Sequence, residues 1–126
     1  KMGFGAGDGG QLIWPFLIGV NRAKYYLMTG EIIGGKQAVE MGLAGFFAEK
    51  TEDVLPKALE IADKLAAGPP LAIAASKAGV NAYLQQVAAA VMPISLQAEG
   101  LTMRSHDHNE AVSAFLAKRT PAFKGK

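Results

Sequence analysis

Residues 3–30 read GFGAGDGGQLIWPFLIGVNRAKYYLMTG, in which a glycine-rich segment is followed directly by an apolar one. Five glycines fall within residues 3–10. Such a density predicts a loop, because glycine permits positive φ angles and a close approach of the backbone to another group. The pattern then changes abruptly to apolar residues, which indicates that the loop leads directly into helix.

Two short helices are predicted after the glycine loop. The first covers residues 11–17 and ends at Gly19, since a glycine in this place is a frequent helix terminator. The second covers residues 22–29, with Asn21 as its N-terminal cap and Gly30 as its stop.

Residues 31–48 are the part of the chain for which extended structure is predicted. Residues 31–33 form a short extended piece, and a helix of one to two turns follows over residues 36–41, closed by Gly42. Residues 43–48 are rich in Phe and Leu and predict a short buried strand. Since two short strands make no stable sheet by themselves, the partners of such a strand are expected outside this chain.

The second half of the chain is predicted to be helical. Thr51 or Asp53 caps the first of these helices, and a kink is expected at Pro93 in the third. The three helices are predicted over residues 53–67, 70–84 and 87–105.

The last helix is predicted to begin at Asp107. Asp107 and Glu110 are spaced as a capping box. In this motif the Asp107 side chain would accept a free backbone N–H of the first turn, and the Glu110 side chain would reach back to the N–H of Asp107. Lys118 and Arg119 lie at the other end, where cations suit the helix dipole. A basic tail, residues 120–126, follows.

Composition limits the classes of protein that fit. The 126 residues are 50% apolar and 19% charged, with a mean hydropathy of +0.16. So apolar a composition excludes a disordered segment. The apolar fraction is also high for a domain of this size, and the excess predicts an oligomer interface or a surface for a partner. The net charge of +2 does not favour nucleic acid. The absence of cysteine excludes disulfides and thiolate metal sites.

Residues 78–98 are the longest uncharged stretch and are long enough to span a bilayer. They carry the amides of Asn81, Gln85 and Gln86, which are costly in hydrocarbon. A helix packed on other helices is therefore predicted, with no membrane contact. No secretory leader is recognised at the start, and with the lack of cysteine this favours a cytoplasmic location.

The glycine loop also matches a nucleotide-binding spacing. Gly5, Gly7 and Gly10 fit the dinucleotide fingerprint, and Glu31 lies near the expected acid position. The context does not fit, because Glu31 follows a helix and no strand precedes the loop. A nucleotide site is therefore disfavoured.

Asp8 is the acid within the glycine loop, and two roles remain open for it. Asp8 and Gln11 are spaced as a capping box for the first helix. Alternatively, Asp8 is a carboxylate held in a glycine-lined cleft as a proton acceptor. The cap is favoured, and both roles are compatible.

Other candidate groups are assigned to structure. His106 and His108 could bind a metal ion, but no third ligand with suitable spacing is visible, so an exposed helix start is favoured and no metal site is predicted. Core packing is favoured over a ligand pocket for two apolar pairs, Leu27-Met28 and Phe46-Phe47.

The C-terminal tail combines cations with aromatic rings, namely Lys118, Arg119, Lys124 and Lys126 with Phe115 and Phe123. This pattern suits a ligand that carries both phosphate and an aromatic base. Composition alone favours the alternative of a solvated helix end.

The order of these segments resembles the C-terminal half of the enoyl-CoA hydratase/isomerase (crotonase) superfamily. Its glycine-rich turn, its two following helical motifs and its C-terminal signature are each similar to a stretch of this sequence. These are Met2-Gly3 with Gly7-Asp8-Gly9-Gly10, the residues from Ile18-Gly19 to Thr29-Gly30, Ala38-x-x-Met41-Gly42-Leu43-Ala44, and Ala114-Phe115-Leu116-Ala117-Lys118-Arg119-x-Pro121-x-Phe123-x-Gly125.

The resemblance implies an α/β fold, the C-terminal part of a crotonase-like ββα spiral, mostly helical here with a few short strands. Residues 1–50 would end the spiral core. Residues 51–126 would form a helical oligomerisation region with the basic tail, giving a homotrimer or a dimer of trimers.

The resemblance also implies roles for particular residues. The family's oxyanion donors and main carboxylates lie upstream of this chain, and Asp8 stands where many members carry a small residue. Phe115 and Lys118 match positions that contact the adenine and phosphate of coenzyme A. An acyl pocket is expected around Leu12, Ile13 and Trp14.

The expected activity of the complete protein is hydration of a 2-enoyl-CoA thioester through an enolate. Isomerisation or another crotonase reaction is the alternative within the family, and a non-catalytic helical assembly module is the alternative outside it. The acyl-CoA thioester is expected as substrate, with no covalently bound cofactor. The isolated chain is expected to be inactive.

Overall fold

The computed structural model describes residues 2–126, and within that range it contains six helices. They are α1 (Gly10–Ile18), α2 (Val20–Thr29), α3 (Gly35–Glu40), α4 (Thr51–Ala66), α5 (Pro70–Met103) and α6 (His106–Leu116). No strand forms among residues 2–126, so the mostly helical character is confirmed and the few short strands are not observed.

The described chain packs into two units. The first comprises the chain up to Ile32 together with Ala88–Lys126, and the second comprises Ile33–Val87. α1 and α2 pack against each other in the first unit. The expected division between residues 1–50 and 51–126 stays a prediction, and its boundary falls inside the second unit.

Glycines end the first two helices as predicted. Gly19 has a φ of 80°, and its N–H donates to the Pro15 carbonyl over 3.1 Å. Gly30 adopts the left-handed conformation with a φ of 64°, which glycine reaches without steric cost. The cap predicted at Asn21 was wrong, because α2 already begins at Val20 and Gly19 stands at its N-cap.

The apolar stretch 43–48 forms a turn and an irregular segment in place of the predicted buried strand. The N–H groups of Leu43 and Ala44 both donate to the Ala38 carbonyl, over 2.8 and 3.1 Å. These bonds close the end of α3 and use donors that a strand ladder would need. Phe46 is 64% exposed, so the core role predicted for it was wrong in this chain.

The long helix α5 replaces two predicted helices. It begins at Pro70 as expected, since proline fits the first turn. It then continues for 34 residues through the expected break after residue 84 and through Pro93, because residues 84–90 are all tolerated in helices and include neither Gly nor Pro. Neither α5 nor another helix of the described chain has the length and apolar content needed to cross a membrane.

α4 starts without the predicted side-chain cap. Lys50 stands at its N-cap with an extended backbone, and no side chain bonds to the free N–H groups there. The expected caps Thr51 and Asp53 both lie inside the first turn, where Asp53 donates its N–H to the Lys50 carbonyl over 3.1 Å.

The buried core of the described chain is small. The apolar residues that it buries are Ile18, Ala23, Ala111 and Ala114. Large apolar side chains lie at the surface instead, with Ile32 95% exposed and Leu71 86% exposed. The apolar excess of the composition is therefore surface that a further chain segment or a second subunit could cover.

Candidate functional site

The glycine loop packs closely against α5. Gly7 is buried, and a Cβ atom there would lie 2.6 Å from both the Glu99 Cβ and the Ser95 carbonyl oxygen. A Cβ on Gly3 would lie 2.8 Å from the Asp107 carbonyl oxygen, at the start of α6. Close approach of the backbone to other helices therefore accounts for these glycines without a bound nucleotide.

Two hydroxyl groups of α5 hold the loop at its two ends. The Gly5 N–H donates to the Thr102 Oγ1 over 3.0 Å. The Ser95 Oγ donates to the Gln11 Oε1 over 2.6 Å, and Ser95 is only 2% exposed. The loop and the first turn of α1 are thereby fixed to residues that lie far away in the sequence.

Asp8 lies between these two anchors with an exposed side chain. The capping box predicted for Asp8 and Gln11 was wrong, because Gly9 occupies the N-cap position, no side chain caps α1, and the Gln11 amide is engaged by Ser95. The role of Asp8 as a proton acceptor stays a prediction.

The three residues of the expected acyl pocket lie in the first half of α1. Leu12, Ile13 and Trp14 are each half-buried. A cavity of about 370 Å³ beside α1 is lined instead by Gln11 and Pro15 of α1, together with residues of α2 and the glycine loop. The acyl pocket therefore stays a prediction.

The start of α6 differs from the prediction. Ser105 is the N-cap, and its Oγ accepts the His108 N–H over 3.0 Å. Asp107 lies within the first turn and does not cap the helix. Its two carboxylate oxygens instead accept the N–H groups of Lys124 and Gly125, over 2.7 and 2.8 Å.

Glu110 likewise bonds to the C-terminal segment and not to the helix start. Its two oxygens pair with both terminal nitrogens of Arg119, over 2.5 and 2.8 Å, and one of them also accepts the Ala122 N–H over 2.9 Å. The Arg119 hydrogen bonds, followed by that from Ala122, lower the pKa of Glu110 to about 2. Glu110 in turn raises the pKa of Arg119.

Asp107 and Glu110 therefore fold the tail back onto α6. Sequence reasoning missed this role because the spacing of the two acids also fits a capping box. The available signal was the run of cations that follows, since buried or semi-buried acids pair with such groups.

Phe115 and Lys118 lie where α6 ends. The Lys118 and Arg119 N–H groups donate to the Phe115 and Ala114 carbonyls, over 3.1 and 2.9 Å, which is the Schellman pattern of helix termination. Lys118 holds the left-handed position of this turn, with a φ of 53°. Lys118 therefore lies beyond Leu116, the last residue of α6. Phe115 is 70% exposed and Lys118 is also exposed.

The two histidines have different surroundings. His106 is exposed, as predicted. His108 is half-buried: its Nδ1 lies 2.7 Å from the Met2 carbonyl oxygen, and its ring stands edge-on to that of Phe4, with centroids 5.4 Å apart. His108 thus holds the start of the described chain against α6. Among residues 2–126, no group of three acids or histidines is placed to hold a metal ion.

A cavity of about 730 Å³ lies between the glycine loop, α2, the end of α5 and the tail. Its apolar walls come from both ends of the first unit. They are Phe4, Leu27, Met28, Leu101 and Phe123. Met28 is 81% exposed, so the core role predicted for it was wrong in this chain.

The sequence profile described as Enoyl-CoA hydratase/isomerase matches residues 1–126. The chain is 33% identical over 125 residues to a crotonyl-CoA hydratase of Syntrophomonas wolfei, covering 99% of this chain and 48% of that protein. It is 34% identical over 128 residues to a 2,3-dehydroadipyl-CoA hydratase of Escherichia coli, covering 97% and 47%.

The crystal structure of a carnitinyl-CoA hydratase from Mycobacterium avium matches with a TM-score of 0.90, at 23% identity, over 99% of this chain and 49% of that one. At that identity the likeness shows the fold alone, and it confirms the predicted crotonase fold. The chain spans about half the length of the curated relatives that it matches, and it corresponds to their C-terminal half. By the match of its whole length to the family profile, the chain belongs to the enoyl-CoA hydratase/isomerase family.

Proposed function

We propose that this chain is part of an enzyme that adds water across the double bond of a 2-enoyl-CoA thioester. The observation that carries the proposal is the end of α6, where an exposed Phe115 precedes a turn that is fixed by hydrogen bonds and carries an exposed Lys118. A CoA thioester carries an adenine ring and phosphate groups, and an exposed aromatic ring and an exposed cation suit these two groups. The two curated relatives compared above are both named as hydratases.

In the proposed reaction, the oxygen of water bonds to C3 of the enoyl group. The electron pair of the double bond moves to form an enolate at the thioester oxygen, where backbone N–H donors stabilise the charge. A carboxylate takes one proton from the water, and a carboxylic acid then gives a proton to C2, so that OH and H are added across the double bond. The family resemblance places those donors and the main carboxylates outside this chain.

Within this chain, we assign three contributions. Phe115 stacks on the adenine and Lys118 bonds to a phosphate of CoA. Leu12, Ile13 and Trp14 line the acyl pocket. Asp8 is a further proton acceptor, a role that its solvent-exposed carboxylate leaves available.

The proposed enzyme is a cytoplasmic homo-oligomer, a trimer or a dimer of trimers. The support is the exposed apolar surface, which includes Leu71 and Ile94 of α5 at 86% and 71% exposure. Light scattering on the full-length protein tests this assembly, and a stable monomer would contradict it. The same surface also supports the second candidate function, a non-catalytic helical assembly module.

The reaction is tested by incubating the full-length protein separately with crotonyl-CoA and with a 3-enoyl-CoA. Hydration gives a product heavier by one water, measured by mass spectrometry. A shift of the 3-enoyl double bond to C2 without water would identify an isomerase instead. No conversion of either thioester would favour the assembly module.

The role of Asp8 is tested by Asp8→Asn in the same assay, with Asp63→Asn on the exposed face of α4 as the matched control. General acid–base catalysis contributes ~10²–10⁴-fold, so a proton acceptor at Asp8 predicts a fall of that order in kcat with little change in KM. Equal kcat values for the two variants would remove Asp8 from the mechanism.

A further inference from the structure

We propose that Glu110 is a positioning residue for coenzyme A, and that it acts by fixing the turn that carries Lys118. The inference rests on the proposed function, since it takes Lys118 as the cation that meets the CoA phosphate. Glu110 itself is not proposed to touch the ligand.

The contacts around Lys118 show how Glu110 could act on it. Ala117, which precedes Lys118, is fixed by the hydrogen bonds that end α6. Arg119, which follows Lys118, is held by Glu110 through two parallel hydrogen bonds. A bidentate pair restricts the orientation of the guanidinium as well as its distance. Lys118 therefore sits between two fixed neighbours, in a left-handed conformation that residues other than glycine adopt at a cost.

The charges around the turn also support a positioning role for Glu110. Arg119 is engaged by Glu110, so its guanidinium is already committed within the fold. Lys118 makes no side-chain hydrogen bond or ion pair that the structure shows among residues 2–126. Glu110 thus leaves one cation of the adjacent pair available for an anion and keeps the other out of that role.

Asp107 extends this anchoring to the end of the tail. Its carboxylate accepts two backbone N–H groups, from Lys124 and Gly125, and its own N–H donates to the Lys126 carbonyl over 3.2 Å. With the bond from Ala122 to Glu110, four residues of the tail are held to α6. Loss of Glu110 alone should therefore loosen the turn without detaching the whole tail.

The test is calorimetric titration of CoA and of dephospho-CoA into the full-length protein and its Glu110→Gln variant, at low salt. Positioning predicts roughly three- to tenfold weaker CoA binding, below the loss expected for a direct contact. The affinity for dephospho-CoA, which lacks the 3′-phosphate, should change less.

The sign of the effect separates positioning from simple charge. If Glu110 acted only as a nearby negative charge, its removal would strengthen the binding of an anionic ligand. Unchanged or tighter CoA binding by Glu110→Gln therefore overturns the proposal.

Glu60 offers a matched control variant. It also pairs with basic side chains, Lys57 and Lys64, each over 2.7 Å, and these bonds lower its pKa to about 2 as well. Glu60→Gln removes the same charge from α4, and we expect CoA affinity to stay at the parent value. An equal loss in Glu60→Gln and Glu110→Gln would contradict a specific role for Glu110.

A double-mutant cycle with Lys118→Ala distinguishes this inference from the proposed function. If Glu110 acts through Lys118, Glu110→Gln has little further effect in a Lys118→Ala background. An equal effect in both backgrounds overturns the inference. Normal CoA binding by the Lys118→Ala variant contradicts the proposed role of Lys118. If Lys118→Ala weakens CoA binding and Glu110→Gln does not, only the positioning role of Glu110 is contradicted.

Arg119→Lys provides a second variant should Glu110→Gln fold poorly. It keeps the positive charge and removes the bidentate geometry. We expect the same direction of change in CoA affinity, and parent-like affinity would count against the proposal.

Discussion

In the first unit of the chain, the Ser95 hydroxyl bonds to a residue that lies 84 positions away in the sequence. The Thr102 hydroxyl bonds to one that lies 97 positions away. In the second unit, the side chains of Ser76 and Glu60 bond within four positions, along their own helices. The first unit therefore depends on contacts that close large loops of chain. The contacts of Ser76 and Glu60 would form in an isolated helix, so they cannot specify how that helix packs.

The largest expected difference between the units comes from adding a methyl group at a glycine. Gly7→Ala places a Cβ 2.6 Å from backbone and side-chain atoms of α5, and such overpacking should lower the free energy of unfolding by roughly 3 kcal/mol. Gly45→Ala in the second unit meets open space and should leave it unchanged or slightly raised. Urea unfolding measures both, and equal midpoints would contradict the close packing of the glycine loop.

Two serines of α5, one in each unit, should differ in their contribution to stability. Ser95→Ala removes a buried hydrogen bond and leaves the Gln11 amide oxygen without its donor, which should cost about 1–2 kcal/mol. Ser76→Ala removes an exposed bond to the Ala72 carbonyl and should have almost no effect, because alanine is the better helix former. Should Ser76→Ala prove the more damaging in urea unfolding, the anchoring role of Ser95 would be wrong.

A pair of lysines gives effects of opposite sign. Lys118→Gly relieves a left-handed backbone and should raise the free energy of unfolding by about 1 kcal/mol. Lys77→Gly, inside α5, should lower it by about the same amount. A protein that becomes more stable while its CoA affinity falls would show that Lys118 is retained for binding. Thermal unfolding that shows Lys118→Gly to be the less stable form would contradict the turn geometry.

The smallest expected effect is the acid dependence of the two glutamates. Both have a folded pKa of about 2, below the ordinary value of 4.5. Their stabilisation is therefore complete above the ordinary value and is lost as the pH falls from there through the folded value. The parent protein and each Gln variant should converge in stability over that window, as followed by urea unfolding.

Salt should separate those two curves. Glu60 has a side chain 46% exposed, whereas that of Glu110 is 26% exposed and also binds a backbone N–H. Added salt should therefore diminish the Glu60 contribution more than that of Glu110. An equal response to salt would mean that Glu110 is as solvated as Glu60.

The contrast between local and long-range contacts also explains which features could be predicted from the sequence. The helix ends at Gly19 and Gly30 and the start at Pro70 follow from local backbone preferences, and all three are confirmed. The caps predicted at Asp8 and Asp107 failed because the groups that decide the N-terminal bonds lie elsewhere, at Gly9 and Ser105. Local patterns do not reveal which of several suitable partners a side chain selects.

Residues 43–48 show the second kind of failure. Their apolar character predicted a buried strand, but a strand needs a neighbouring strand to satisfy its backbone, and none forms among residues 2–126. The fold of the tail was also not predicted, for another reason. Its return to α6 depends on the left-handed turn at Lys118, and neither residue type nor spacing predicts that conformation for a lysine.

The role of Lys118 in CoA binding is tested by calorimetric titration of CoA into the full-length protein and its Lys118→Ala variant, with dephospho-CoA as the control ligand. Loss of one partly exposed charged contact should cost roughly 1–2 kcal/mol, or about five- to thirtyfold in affinity. The difference should shrink at high salt, because the contact is ionic. If Lys118→Ala binds CoA as tightly as the parent at low salt, Lys118 is a helix-end cation and the CoA-binding role of this turn is wrong.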